Sequence, residues 1–190
     1  MSNSYKIAVL PGDGIGPEVT AESVKVLNVL AQAFQYKFEF EYAKMGAEAI
    51  FETGNPLPEE TLTVCKNADA VLFGAIGDPY FDNNPDAKVR PEQGLLKLRK
   101  ELGLFANIRP IKTYSSLTKK SPLKKEIVDG TDIQIYRELI SGIYFGEKFT
   151  DENGEYAYDV CKYNKDEIVQ IANLAFKKKK KKKKKVTLVD

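Results

Sequence analysis

The chain has 190 residues, 43% hydrophobic and 29% charged, a composition that can bury a core in one ordinary domain or two small ones. Nine of its basic residues form one run, Lys177 to Lys185. The rest of the chain contains 20 basic and 27 acidic residues, so its net charge is −7. This balance argues against a general nucleic-acid binder. Histidine is absent, which excludes a histidine base, a histidine metal ligand and a Ser-His-Asp triad within these residues.

The cysteine count and the apolar runs predict where the protein resides. Cys65 and Cys161 are far apart, which favours buried thiols in a reducing compartment over a zinc cluster or a disulfide framework. No apolar run reaches the roughly 20 residues of a membrane span. The first residues lead directly into a strand-like segment, with no signal peptide. We therefore expect a soluble cytoplasmic protein without a membrane partner.

Strands and helices alternate in the first half of the chain. A β-branched run and a later near-continuous apolar run predict strands of a parallel sheet covered on both faces, and an aromatic–charged alternation between them predicts a half-buried strand. The pattern therefore indicates βαβ units and an α/β fold. The predicted elements are strands at 6–10, 36–42 and 68–75, a helix that starts near Pro17, and a helix at 59–66.

The second half begins with a proline- and asparagine-rich stretch. This stretch, 78–91, has no periodicity and predicts a long functional loop. Further elements are predicted as a helix at 94–104, strands at 104–112, 132–139 and 156–163, a protruding hairpin near 148–163, a helix from Lys165, and a strand at 186–189. Because a strand that follows a crossover helix normally enters a sheet, the last prediction suggests the first part of a longer protein.

A glycine-rich loop follows the first predicted strand. Its sequence is Gly12-Asp-Gly-Ile-Gly-Pro-Glu18. The dinucleotide fingerprint G-x-G-x-x-G requires a third glycine at position 17, where this chain has Pro17. From spacing alone, the loop is a strand-to-helix turn that uses glycine for positive φ, and any nucleotide contact there would not be of the Rossmann type.

Four segments carry a resemblance to a known family. They are 7–19 (IAVLPGDGIGPEV), 90–99 (RPEQGLLKLR), 104–110 (LFANIRP) and 136–147 (YRELISGIYFGE). Together they resemble the β-decarboxylating dehydrogenases, which include isocitrate, tartrate and 3-isopropylmalate dehydrogenases. The resemblance implies the isocitrate/isopropylmalate dehydrogenase-like α/β fold, incomplete in this chain, and a homodimer. Residues 1–104 would begin the cofactor-side domain, and 105–190 the dimerisation and substrate domain.

The resemblance also implies roles for individual residues on the substrate side. Arg99, Arg109 and Arg137 match the arginines that hold the substrate's carboxylates, a task suited to planar, permanently charged donors. Tyr144 matches the catalytic tyrosine, which donates a proton to the enol left by CO2. Leu95 and Leu96 occupy positions that pack against an apolar branch of the substrate. Isocitrate-type enzymes need polar residues there for a third carboxylate, so the leucine pair disfavours that substrate.

The resemblance further implies an NAD cofactor and a divalent metal ion, Mg2+ or Mn2+. Ile15, Ile76, Pro79 and Glu92 match cofactor-binding positions, with Glu92 near the nicotinamide ribose. The metal-binding aspartates and a lysine that would be residue 191 lie beyond Asp190, so no metal ligand is expected within this chain. Hydride would pass from the C2 carbinol to NAD+ before CO2 is lost. A product of these 190 residues alone is expected not to turn over.

Two alternatives remain open at this stage. A related enzyme could act on tartrate, another malate derivative or isocitrate. A non-catalytic fragment could instead bind polyanions through Lys177 to Lys185, a run that also fits a solvated basic helix end.

Overall fold

A computed structural model describes residues 3–84, 86–179 and 185–189. The chain divides into two units, the first ending at Leu102 and the second starting at Gly103. None of the helices in these described ranges combines the length and the apolar character that crossing a bilayer needs.

The first unit is an α/β layer structure built on a three-stranded parallel sheet in the order β2-β1-β3. The predicted parallel sheet is therefore confirmed. Its strands are β1 (Ser4–Gly12), β2 (Lys37–Tyr42) and β3 (Ala70–Ala75), and its helices are α1 (Gly16–Phe34), α2 (Ala47–Thr53), α3 (Glu59–Lys66), α4 (Pro79–Asp82) and α5 (Pro91–Glu101).

The core of this unit lies between the sheet and the helices α3 and α5. Ala8 and Leu10 of β1 are fully buried there, since alternate residues of a strand point to one face. Burial of a leucine side chain stabilises the fold by about 1.5–3 kcal/mol. The buried cluster consists of Ala8, Leu10, Met45, Leu57, Leu62, Cys65 and Leu98.

The glycine loop forms the predicted turn between β1 and α1. Gly12 and Gly14 both have positive φ, at 69° and 56°. A Cβ on Gly12 would overlap the carbonyl oxygen of Ala75 in the neighbouring strand, so this position needs glycine for space as well as for φ. The turn therefore places the loop after β1 directly beside the end of β3.

The second unit contains two antiparallel ribbons. In the first, β4 (Ala106–Lys112) pairs with β5 (Asp132–Glu138); in the second, β6 (Lys148–Thr150) pairs with β7 (Ala157–Asp159) as a hairpin inside the range 148–163. The helix α7 (Lys165–Lys179) packs against β5. The connection between β4 and β5 holds a 3-10 helix at Ser115–Lys120 and the short helix α6 (Lys125–Val128).

Several predicted boundaries were wrong. The helix predicted at 94–104 begins at Pro91, because the proline suits a first turn and the Gln93 side chain accepts a hydrogen bond from Arg90 N–H at 3.1 Å. The loop predicted at 78–91 contains α4, capped by the Asp78 side chain, which accepts a hydrogen bond from Tyr80 N–H at 2.8 Å. The strand predicted at 156–163 is shortened to β7, which ends with its three-residue partner.

The strand predicted at 186–189 is not formed. Leu188 and Val189 are 89% and 87% exposed and have no regular secondary structure. A strand exists only where a neighbour accepts and donates its backbone hydrogen bonds, and none of the strands in the described residues pairs with this segment.

The lysine run begins at the end of α7. Lys177 and Lys178 are exposed in the last turn of α7, whereas 180–184 lie outside the described residues.

Cys65 is buried as expected, and burial raises the pKa of its thiol. The expectation of a buried thiol was wrong for Cys161, which is exposed because it follows a short surface ribbon instead of a core strand.

Candidate active site

The carboxyl edge of the parallel sheet gathers the four expected cofactor residues. Ile15 follows β1, while Ile76 and Pro79 follow β3, and the ends of these two strands are paired at Gly12 and Ala75. Neighbouring parallel strands place their following loops side by side, which is where α/β proteins bind ligands. Glu92, in the first turn of α5, reaches the same loop, since its Oε1 would lie 3.0 Å from a Cβ on Gly77.

The exposure of these residues differs. Ile15 is 57% exposed, a large apolar side chain presented to solvent beside the sheet edge. Pro79 and Glu92 are also exposed, whereas Ile76 is half-buried and packs against the core cluster. Ile76 therefore supports the core as well as lining the edge.

Helix α5 carries Leu95, Leu96 and Arg99. Arg99 lies four and three residues after the two leucines, so the three share one side of the helix. All three are half-buried, and Leu95 packs against the core cluster. The helix therefore carries a cation next to apolar side chains.

In the second unit, Arg109 and Arg137 lie on the same face of the β4–β5 ribbon. Asn107 is directly opposite Arg137 in the register, and Arg109 is two residues further along β4. Residues two apart in a strand share a face, so the two arginines are diagonal neighbours. Arg109 Nε donates a hydrogen bond to Asn107 Oδ1 at 3.0 Å, which orients its guanidinium.

Tyr144 lies next to this arginine pair. The Arg137 guanidinium carbon is 5.5 Å from the centroid of the Tyr144 ring, within the range of a cation–π contact. The tyrosine ends a short 3-10 helix, Gly142–Tyr144, and is 55% exposed. Within the second unit, Arg137 therefore contacts Tyr144 and shares a ribbon face with Arg109.

The turn that places Tyr144 depends on Glu138, to which sequence reasoning gave no role. Its carboxylate accepts hydrogen bonds from Ile140 N–H (3.0 Å), from Ser141 N–H (3.2 Å) and from the Ser141 hydroxyl (2.6 Å). The turn is further fixed where Gly142 N–H donates to the carbonyl of Lys162 at 2.9 Å. Two signals of this turn are present in the sequence: a carboxylate followed three residues later by serine, and the Ser141-Gly142 dipeptide, whose glycine has a φ of 75°.

Tyr163 packs beneath the same turn. A Cβ on Gly142 would contact the Tyr163 ring, so glycine makes room for it. Burial, together with the nearby Cys161, raises the pKa of the Tyr163 phenol. The raised pKa keeps the Tyr163 phenol protonated at neutral pH, although the side chain as a whole remains 48% exposed.

Asp13 is the second functional-site residue that sequence reasoning missed. It is only 6% exposed, although it belongs to a loop rich in glycine. Its Oδ1 accepts a hydrogen bond from Ala47 N–H at 2.8 Å, and its Oδ2 accepts one from Gly77 N–H at 3.0 Å. A buried acid whose partners are backbone amides of distant segments leaves no periodic pattern in the sequence.

Solved structures of other proteins share the fold of this chain. A β-decarboxylating dehydrogenase from Thermococcus kodakarensis, in its apo form, aligns with a TM-score of 0.64 and 35% identity over 93% of this chain and 46% of its own. An isocitrate dehydrogenase from Methylococcus capsulatus aligns with a TM-score of 0.73 over 93% of this chain and 48% of its own. At 23% identity, the second likeness concerns the fold alone. The chain thus has the α/β fold of this class of dehydrogenases.

Sequence comparison defines the family more narrowly. The family model described as isocitrate/isopropylmalate dehydrogenase matches residues 6–190, and the chain belongs to that family. Curated relatives named 3-isopropylmalate dehydrogenase are 54% identical in Bacteroides fragilis, 51% in Aquifex aeolicus and 50% in Bacillus subtilis. Each match covers 97–98% of this chain but only 52% of the relative. The chain therefore spans about half the length of the curated relatives it matches.

Proposed function

We propose that this protein serves the NAD-dependent oxidative decarboxylation of 3-isopropylmalate to 4-methyl-2-oxopentanoate, a step of leucine biosynthesis. The observation that carries the proposal is the identity of 50% or more to relatives named 3-isopropylmalate dehydrogenase along almost the whole chain. The contact of Tyr144 with Arg137, which shares a strand face with Arg109, supports it independently, because an acid and an anion-binding group are adjacent.

Substrate binding is assigned to arginines and leucines. Arg109 and Arg137 hold carboxylate oxygens through paired N–H donors, and Arg99 contributes the same chemistry from α5. The apolar surface of Leu95 and Leu96 accommodates the isopropyl group. A substrate with a third carboxylate in that position would lose its hydration without gaining a partner, which disfavours isocitrate.

The cofactor side is assigned to the carboxyl edge of the sheet. The residues there fit a nucleotide cofactor, since the exposed Ile15 offers an apolar contact surface and the exposed Glu92 offers a hydrogen-bond acceptor beside Gly77, which has no side chain. When bound, NAD+ supplies the hydride acceptor for oxidation of the C2 carbinol. Ile76 and Pro79 hold the loop that lines this edge.

No step is assigned to a metal ion on these residues. Within the described ranges, no group of three acidic or cysteine side chains is arranged to ligate one. We retain Mg2+ or Mn2+ as the proposed metal of the complete enzyme, together with a homodimeric assembly and a cytoplasmic location.

Tyr144 is assigned the final proton transfer. After oxidation, the 2-oxo acid carries a carboxylate β to its carbonyl group, and the bond to this carboxylate breaks as CO2 leaves. Its electron pair remains on the substrate as an enolate, which takes a proton at C3 from the Tyr144 hydroxyl to give the 2-oxo acid product and a tyrosinate that is reprotonated by solvent. A phenol is protonated at neutral pH, as a general acid must be, and the contact with Arg137 fixes its ring.

The intact mass of the purified protein is the first measurement. A mass near 21.3 kDa identifies a 190-residue product, which we expect not to reduce NAD+; sustained NADH formation by it would refute that expectation. A mass of roughly twice this value would match the length of the relatives. The longer product should form NADH with 3-isopropylmalate, NAD+ and Mg2+, and much less with isocitrate or tartrate. Equal rates with isocitrate would contradict the proposed substrate.

A further inference from the structure

The loops after all three parallel strands meet at one buried carboxylate. Asp13 lies in the loop after β1, Ala47 follows the loop after β2, and Gly77 lies in the loop after β3. Asp13 N–H also donates to the carbonyl of Ala75 at 2.9 Å, and Gly16 N–H donates to the carbonyl of Asp13 at 2.9 Å. Asp13 thus connects segments that are 34 and 64 residues away in the chain.

The surroundings of Asp13 are shaped to admit this carboxylate. A Cβ on Gly46 would overlap its oxygens, and Gly46 has a φ of 84°, so the approach depends on glycine. Ala47 is the first residue of α2, and the first N–H groups of a helix have no acceptor within that helix. The Asp13 side chain supplies that acceptor from a distant loop, because Gly46 as N-cap has no side chain to do so.

We propose that Asp13 is a positioning residue that holds the three carboxyl-edge loops in one arrangement and thereby sets the affinity for the cofactor. The inference rests on the proposed function, since Ile15, Ile76, Pro79 and Glu92 all belong to or contact the loops that Asp13 joins. Asp13 touches neither cofactor nor substrate in this scheme. Its effect should therefore fall on NAD+ and leave the arginine-held substrate almost unchanged.

Amide hydrogen exchange of the wild-type protein tests the connection without any ligand. The amides of Ala47 and Gly77 should exchange at least about tenfold more slowly than the first amides of α3, a helix that has no side-chain cap. Equal exchange rates would overturn the inference, because the buried carboxylate would then not hold these donors.

Asp13→Asn tests the consequence for binding. The amide keeps one acceptor oxygen but turns an NH2 group toward the second backbone donor, which leaves that donor unpaired. In the longer product that forms NADH, the KM for NAD+, or its Kd by calorimetry, should rise about tenfold, while the KM for 3-isopropylmalate should change by less than about twofold. Equal weakening of both ligands together with a lower Tm would mean a purely structural role and would overturn the inference.

Asp69→Asn is the matched control. Asp69 Oδ2 accepts a hydrogen bond from Lys6 N–H at 2.8 Å, so it also joins two segments of the sheet, but at the opposite edge. This variant should leave the KM for NAD+ unchanged. A longer product that neither binds NAD+ nor turns over would refute the proposed function and, with it, the cofactor part of this inference. The exchange rates of Ala47 and Gly77 would still decide whether Asp13 joins the loops.

Discussion

The two units bury their apolar residues to very different extents. Among the described residues, every buried hydrophobic side chain belongs to the first unit, from Ile7 to Leu98. The second unit is built on two-stranded ribbons, which are marginally stable by themselves in water. The first unit therefore carries its own core, whereas the second presents most of its strand residues at the surface.

The exposed face of the β4–β5 ribbon shows what this difference means for function. Ile111, Ile133 and Ile135 share that face with Arg109 and Arg137, and all three isoleucines are more than 40% exposed. Residues on such a face contribute little to a core, so they are available to bind or react. The first unit thus combines a buried core with the expected cofactor positions at its sheet edge, whereas the second presents its expected site residues on an exposed ribbon. Four substitutions or measurements can break or sharpen this comparison.

Tyr144→Phe should have the largest effect. The change removes the hydroxyl proton donor but keeps the ring that contacts Arg137, so kcat of the longer product for 3-isopropylmalate should fall by about 10²- to 10⁴-fold. The Tm should remain unchanged because the side chain is more than half exposed. Tyr136→Phe, on the other face of β5, is the control, and an equal loss of kcat there would remove the special role of Tyr144.

Core and surface substitutions should differ strongly in stability. Leu10→Ala removes a fully buried side chain, and the free energy of unfolding should fall by about 2–5 kcal/mol. Ile133→Ala, at a position 52% exposed, should cost less than about 1 kcal/mol. Urea unfolding of the two variants gives both values. Similar losses would show that the second unit has a core of its own.

The reactivity of the two thiols should also differ between the first and the second unit. Cys161 is exposed, whereas Cys65 is buried and its thiol pKa is raised by burial. Since the thiolate is the reactive form, Cys161 should react with a disulfide reagent roughly 100-fold faster in the native protein. In denaturant the two rates should become similar. Rapid native labelling of Cys65, followed by peptide mapping, would indicate that the first unit opens readily.

The smallest expected effect concerns an ion pair between α3 and α5. Lys66 Nζ donates to Glu101 Oε2 at 2.9 Å, and this hydrogen bond and charge lower the pKa of the Glu101 carboxyl. Because the pKa of Glu101 is lower in the folded than in the unfolded state, the ion pair stabilises the folded protein at pH values above the unfolded-state pKa of about 4.3. This stabilisation is lost as the pH falls through the folded-state pKa.

Lys66→Met removes that contribution. Its urea unfolding free energy should therefore decrease less than that of the wild type between pH 7 and pH 3, by a small amount because both side chains are well exposed. Lys25→Met serves as a control, since the ion pair of Lys25 with Glu22 lies within a single helix and does not connect two elements. An identical pH dependence in wild type and Lys66→Met would rule out a contribution from this pair.

The sequence predicted much of the first unit because its patterns are local. The continuous apolar runs around β1 and β3 and the glycine turn after β1 follow from side-chain periodicity and from the φ that glycine allows. The short helices α2 and α6 gave no usable period, since one or two turns contain too few residues to show one. The strand expected at 186–189 had the right composition but no partner among the described residues.

The residues of the candidate site were likewise only partly predictable from the sequence. The identities of Arg109, Arg137 and Tyr144 were available from their motifs, whereas their proximity depends on the antiparallel register of β4 and β5 and on the turn held by Glu138. The role of Asp13 was hidden, because its partners Ala47 and Gly77 donate backbone amides, which every residue except proline possesses.

The sequence by itself determined the α/β class, the rejection of a Rossmann fingerprint at Pro17, and the permanent positive charge of the arginines at the expected site positions. These follow from local sterics, periodicity and the fixed charge of arginine. Only the tertiary structure decided which loops share a carboxylate, which arginines share a face, and which cysteine is exposed. Those outcomes depend on contacts between segments far apart in the chain, and their backbone partners leave no mark in the order of the side chains.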